Sequence, residues 1–190
     1  MLESLLFSLI IAFASASYYV GFVQILKGKY SPSFFSRSVW LFLQVNSFFG
    51  VILSNGSTAS IILSAIVLLG NLLIAIASYW KGTKDFGKLE YFCILMLVIS
   101  GVIWLVFDSP VINLGISLFA HFIGALPTYK KVWLDPKSES TSFWSLFFIA
   151  SFLSVLASPG EELTAIIFPI YFVLFDGSIF LLSIRKKRIA

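Results

Sequence analysis

Seven apolar runs, spaced so that every second gap between them is basic, constrain this chain more than any other feature of its sequence. The lysines and arginines fall in four clusters: Lys27, Lys29 and Arg37; Lys81, Lys84 and Lys88; Lys130, Lys131 and Lys137; and Arg185, Lys186, Lys187 and Arg188. The other gaps hold only Asp108 and the pair Glu161 and Glu162, and Glu3 precedes the first run. Cytoplasmic loops of membrane proteins carry an excess of Lys and Arg. The pattern therefore predicts an all-α, multi-pass membrane protein of seven transmembrane helices, with its amino terminus outside and its carboxyl terminus in the cytoplasm.

Composition excludes the soluble alternative. With 59% hydrophobic and 12% charged residues, the chain has too little polar surface to cover a water-soluble fold of its size. A transmembrane helix needs roughly 20 apolar residues. The predicted spans run from Ser4 to Leu26, Ser36 to Ser54, Thr58 to Trp80, Leu89 to Phe107, Ser109 to Pro127, Ser142 to Ala157 and Leu163 to Ile184. Their connections are short, which leaves no separate soluble domain. The net charge of +4 follows from topology and from contact with anionic headgroups of the lipid bilayer, so no nucleic-acid partner is expected. Cys93 is the single cysteine; it excludes an intrachain disulfide and reads as a small apolar residue near a helix start. The first run passes through Ala14, Ser15, Ala16 and Ser17, which resembles a signal-peptide cleavage site. It lacks a basic leader, however, and continues apolar from Tyr18 to Leu26, so it is expected to persist as a mature helix.

The chain also repeats itself. Gly21 stands as far from Gly124 as Lys27 does from Lys130. One further residue of offset aligns Pro32 with Pro136 and Trp40 with Trp144, and another aligns Asn71 with Asp176. Thus GFVQILKGKYSPSFFSRSVW corresponds to GALPTYKKVWLDPKSESTSFW, each covering the end of one span, a basic loop and the start of the next. A unit of three spans ends on the side opposite to its start, so two parallel copies need one helix between them. The expected organisation is a first bundle over residues 1–81, a linker helix over 82–108 and a second bundle over 109–190. Their symmetry axis should lie along the membrane normal.

A parallel three-plus-one-plus-three arrangement with these loop residues resembles the SWEET and PQ-loop superfamily of small-solute transporters, its bacterial seven-helix members most of all. The residues that carry the likeness are Gly124, Leu126, Pro127, Thr128, Lys130 and Trp133, with Gly21, Val23, Gln24 and Lys27 in the first repeat. Each copy keeps half of a Pro-Gln pair: Gln24 in one, Pro127 in the other. The resemblance implies a central site between two rocking units in a bacterial inner membrane, with Pro127 as a hinge and Gln24 bracing the same level. Sugar facilitators of this kind usually place Asn in both the third and seventh spans. Here the pair is Asn71 and Asp176, a departure that favours a cationic or zwitterionic solute, or proton coupling.

Depth can be counted from the nearest basic residue. Tyr18 is nine residues before Lys27, Asn46 nine after Arg37, Asn71 ten before Lys81, His121 nine before Lys130 and Asp176 nine before Arg185. At about 1.5 Å per residue these five lie roughly 14 Å from the inner boundary, near the middle of a core about 30 Å thick. They are the expected substrate-binding residues. An ionisable group in mid-membrane costs at least about 2.5 to 3.5 kcal/mol, so Asp176 should face a cavity or a partner. Asp176 and His121, at one depth, are the expected proton-coupling pair. Interhelical hydrogen bonding is the alternative role for Asp176 and Asn71, and packing or a helix cap that for Asn46 and Tyr18. Pro169 removes one backbone hydrogen bond inside the last span, as a hinge or as a passive bend, and Trp40 and Trp144 are expected to anchor helices at the inner interface.

Other functions find little support. A retinal protein needs a lysine within the last span, and every lysine lies in a gap or beyond the last run. One His and one Cys supply no metal-ligand cluster, and no Gly-x-Ser-x-Gly elbow appears. No enzyme activity, metal or cofactor is therefore expected. The leading reading is a transporter of a small polar solute, such as a sugar or an amino acid, working by alternating access; a nicotinamide riboside transporter shares the topology. The alternative is a membrane receptor or binding protein on the same fold without transport.

Overall fold

The computed structural model describes residues 2–29, 32, 34–82, 84, 87–107 and 109–185, and the side chains of Cys93, Pro127 and several other helical positions lie outside the described set. Lys186, Lys187, Arg188 and Asp108 also lie outside it. Seven α-helices and no strand occur among the described residues. They are α1 (Leu2–Leu26), α2 (Phe34–Leu53), α3 (Thr58–Lys81), α4 (Lys88–Phe107), α5 (Pro110–Leu134), α6 (Thr141–Leu156) and α7 (Leu163–Ile184), with a short 3-10 turn at Pro136–Ser138. Helices α1, α3, α5 and α7 are long and apolar enough to cross a membrane, and α2 and α6 contain shorter apolar stretches.

The surface is inverted relative to a soluble protein. Leu5, Ile11, Phe42, Leu69, Phe119 and Leu174 are exposed, whereas Ser17, Ser60, Asn71, Asn113, Ser151 and Asp176 are buried. Exposed apolar faces on this scale need lipid or a partner to cover them. Around the bundle, α1 packs on α3, α3 on α2, α2 on α5, α5 on α7, α7 on α6, and α6 back on α1. Six helices thus form a closed circle, and α4 packs against α5 and α2.

Local chemistry explains the helix ends. Gly28, at φ +67°, stops α1: its N–H donates to the Ile25 carbonyl at 3.0 Å and the Lys29 N–H to Gln24 at 2.9 Å, the two bonds of a Schellman cap. The repeat counterpart of Gly28 is Lys131, and there no glycine stops the chain. Helix α5 consequently runs past the expected end at Pro127 to Leu134, taking Lys130 and Lys131 into its last turns, where the helix dipole favours cations. Pro136 ends it, since the residue before a proline is driven out of the helical region and Asp135 is extended.

At the end away from the basic residues, α3 is joined to α7. Pro169 sits inside α7 and has no N–H to give to the carbonyl one turn earlier, that of Ala165. That carbonyl accepts instead from the Ser57 N–H at 3.2 Å and the Ser60 hydroxyl at 2.8 Å. Ser57 also bonds Ser158, beyond the end of α6, at 2.7 Å. Pro169 thus frees a backbone acceptor for a neighbouring helix, as proline in membrane helices can.

Candidate functional site

Five polar side chains converge on one cavity inside the circle: Tyr18 from α1, Arg37 from α2, Asn71 from α3, His121 from α5 and Asp176 from α7. Aromatic rings complete the walls: Trp40, Trp144, Phe147 and Phe175. The cavity holds about 20 Å³, room for one water molecule. Tyr18 also lines a wider groove of about 220 Å³ with Tyr19, Leu69, Gly70 and Leu73, which opens toward the apolar outer face.

Each polar group is held differently. Asn71 donates to the Tyr18 hydroxyl at 3.2 Å and to the Val67 carbonyl one turn back at 2.9 Å. Tyr18 lies edge-on to Phe143 and Phe147, and Gly70 on α3 gives its ring space, since a Cβ there would stand 2.2 Å from ring carbons. His121 stacks on Trp40 with ring centroids 4.7 Å apart, and its Nδ1 shares a hydrogen bond with the Tyr171 hydroxyl at 2.8 Å.

Asp176 is 1% exposed, and its Oδ2 has no hydrogen-bond partner among the described residues. The Ser151 hydroxyl is the side-chain hydrogen-bond partner of the carboxyl group and also lies 3.0 Å from the Phe147 carbonyl, so two acceptors compete for one proton. A buried carboxylate oxygen without a donor is costly. It is the feature of the cavity that most requires an explanation.

Four of the five expected site residues, Tyr18, Asn71, His121 and Asp176, meet at this cavity; Asn46 does not. Its amide exchanges two hydrogen bonds of 3.0 Å with Asn113 on α5 and donates to Ser117 at 2.6 Å. The misplacement traces to the ruler. Arg37 is not a boundary charge: it is 9% exposed, lines the cavity and lies 4.8 Å over the Trp40 ring. Counting from it therefore places Asn46 too near the basic end; the side chain lies farther along the bundle and joins α2 to α5. A double-mutant cycle of Asn46→Ala with Asn113→Ala, read by thermal unfolding, is expected to give a coupling of about 0.6 to 1.7 kcal/mol, the range for hydrogen bonds between membrane helices. Solute binding should change little in either variant.

His121 and Asp176 line one cavity, and the Tyr171 hydroxyl takes the Nδ1 position of His121. Trp40 and Trp144 are 6% and 3% exposed; they are cavity walls and not interfacial anchors. Gln24 lines a second, smaller cavity toward the basic end with Gly21, Arg37, Glu139 and Trp144. There Glu139 takes the Lys131 ammonium at 2.8 Å and the Trp144 indole N–H at 3.2 Å, tying the end of α5 to the start of α6. Pro127, expected as a hinge, has its side chain outside the described residues. Arg37 was missed because its charge counted as topology; its place inside the second apolar run, three residues before a tryptophan, was the available signal.

Among the described residues no three metal-ligating side chains stand together. The residues that meet are a carboxylate, a guanidinium, an amide, an imidazole and a phenol, walled by aromatic rings: groups suited to holding a polar solute reversibly. No protein-family model, curated protein or solved structure matches the chain.

Proposed function

We propose that this chain is a membrane transporter that moves a small polar solute by alternating access through the cavity at Asn71 and Asp176. In this reading all seven helices cross the bilayer, α1–α3 and α5–α7 are parallel units linked by α4, and the basic end is cytoplasmic. One observation carries the proposal. Three pairs of residues at equivalent places in the two halves of the sequence, Tyr18 with His121, Trp40 with Trp144 and Asn71 with Asp176, line the same cavity. A symmetry axis through a central site predicts such pairing. The circle of helices agrees: exchanging α1 with α5, α2 with α6 and α3 with α7 turns its neighbour relations into themselves.

The small cavity fits a state closed around its site, with the serine contacts at one end and the Glu139 contacts at the other. Rocking one unit against the other would open each end in turn, as in the transporters of the SWEET and PQ-loop superfamily that the sequence resembles. Reconstitution in proteoliposomes tests the reading with labelled sugars, amino acids, nucleosides and polyamines. Saturable uptake or counterflow of at least one solute is expected. Specific binding with no flux in either direction would replace the transporter by a receptor.

A further inference from the structure

We infer that Trp144 is a gate between the central cavity and the basic end of the bundle, and that Glu139 is the latch that holds it shut. The inference rests on the solute cavity proposed above and says which end of it opens without parting the two units. Arg37, Phe143 and Trp144 line both the central cavity and the smaller one that Gln24 and Glu139 also line. These three side chains are therefore the partition between the two. The cavities hold about 20 and 10 Å³, so nothing larger than water passes while the partition stands.

Trp144 is the member of the partition with a releasable hold. Phe143 is fixed from α1: its carbonyl accepts from the Ser17 hydroxyl at 2.8 Å, and its ring lies against Gly21, where a Cβ would stand 3.0 Å away. Arg37 lies over the Trp40 ring, which in turn stacks on His121. The Trp144 indole N–H donates to Glu139 Oε2 at 3.2 Å, and the Lys131 ammonium donates to Oε1 of the same carboxylate at 2.8 Å. The Glu139 side chain is 4% exposed and that of Lys131 46%, so the latch reaches from the cavity wall to the basic surface.

The half of the bundle away from the basic residues is closed differently. Its hydrogen bonds join one unit to the other: Ser57 to Ser158 at 2.7 Å, the Ser60 hydroxyl to the Ala165 carbonyl at 2.8 Å, and Asn46 to Asn113 at 3.0 Å. Lys131, Glu139 and Trp144, in contrast, all belong to the second unit, at the end of α5, just before α6 and within α6. Opening the far end requires the units to part, whereas releasing Trp144 requires a side chain to turn. Side-chain rotation is much faster than movement of whole helical units. From this state the basic end therefore opens first, with the far end still closed.

The test is thiol labelling of the full chain in sealed vesicles of either orientation, in which a cationic methanethiosulfonate reaches one end of the bundle at a time. Cys93 is the single cysteine, so Cys93→Ser with Asn71→Cys leaves one thiol, in the central cavity. On this background Glu139→Ala is expected to raise the labelling rate from the basic end at least tenfold and to leave the rate from the far end within twofold. Trp144→Phe, which keeps a ring and loses the N–H, should raise the same rate, and the double variant should add little to either, because both changes remove one bond. Glu139→Gln, which keeps an acceptor for the indole, should raise it less than Glu139→Ala. Thermal melts establish that each variant is folded. An equal rise from both ends, or wild-type labelling in folded Glu139→Ala and Trp144→Phe, overturns the inference. Gated labelling without solute flux would leave the gate standing and remove transport; saturable flux with labelling indifferent to Glu139 would do the opposite.

Discussion

Uptake by the Asp176→Asn variant is expected to fall roughly 30-fold or more, while its thermal midpoint stays unchanged or rises. The first effect follows from removing one partner of a buried charge contact, which costs about 2 to 5 kcal/mol, and each 1.4 kcal/mol is a factor of ten. The second follows from the unmet Oδ2 of Asp176: an uncharged amide in its place relieves a desolvation cost that the Ser151 hydroxyl offsets only in part. Opposite signs for function and stability mark a residue kept for its ligand. Proteoliposome uptake and a thermal melt on the same preparations measure both. Repeating the uptake with and without an inward proton gradient asks whether Asp176 carries a proton. Wild type should respond to the gradient and the variant should not. A variant that loses uptake and melts at a lower temperature would make Asp176 a packing residue instead.

The second large effect is steric. A Cβ on Gly70 would stand 2.2 Å from Tyr18 ring carbons, a distance no packing tolerates, so Gly70→Val must displace the ring or part α1 from α3. Overpacking of this kind costs about 1 to 3 kcal/mol. The displaced hydroxyl would also leave the Asn71 amide, 3.2 Å away in the structure, and solute affinity should fall with stability. Tyr18→Ala in the same chain removes the clash. It should restore most of the thermal midpoint without restoring binding, and failure of the double variant to recover stability would mean the strain lies elsewhere.

Much of the helical layout was legible in the sequence, because apolar length and the breaks between runs are local properties. Helices α3 and α7 begin at the expected Thr58 and Leu163, and α1 ends at the expected Leu26. Helix α5 runs past the expected Pro127 to Leu134, because no counterpart to Gly28 stops it. The cavity was legible where counting along one helix sufficed, as for Tyr18, Asn71, His121 and Asp176. It was not legible where a side chain reaches across helices. Charge on Arg37 suggested the boundary, yet its guanidinium rests on Trp40 inside the bundle, and Asn46 shifted with it. Nor does sequence disclose which neighbour a polar group selects, so the Tyr171 partner of His121 came only with the fold.

The Ala165 carbonyl has one more consequence. While α3 and α7 are joined, Ser57 and Ser60 serve this acceptor; when they part, Pro169 leaves it no donor within its own helix. A backbone acceptor in an apolar surrounding cannot remain empty cheaply. Parting that end of the bundle therefore has to admit water, which makes separation of the helices and hydration a single event. A solute leaving the cavity by that route would meet a wetted passage from the first step.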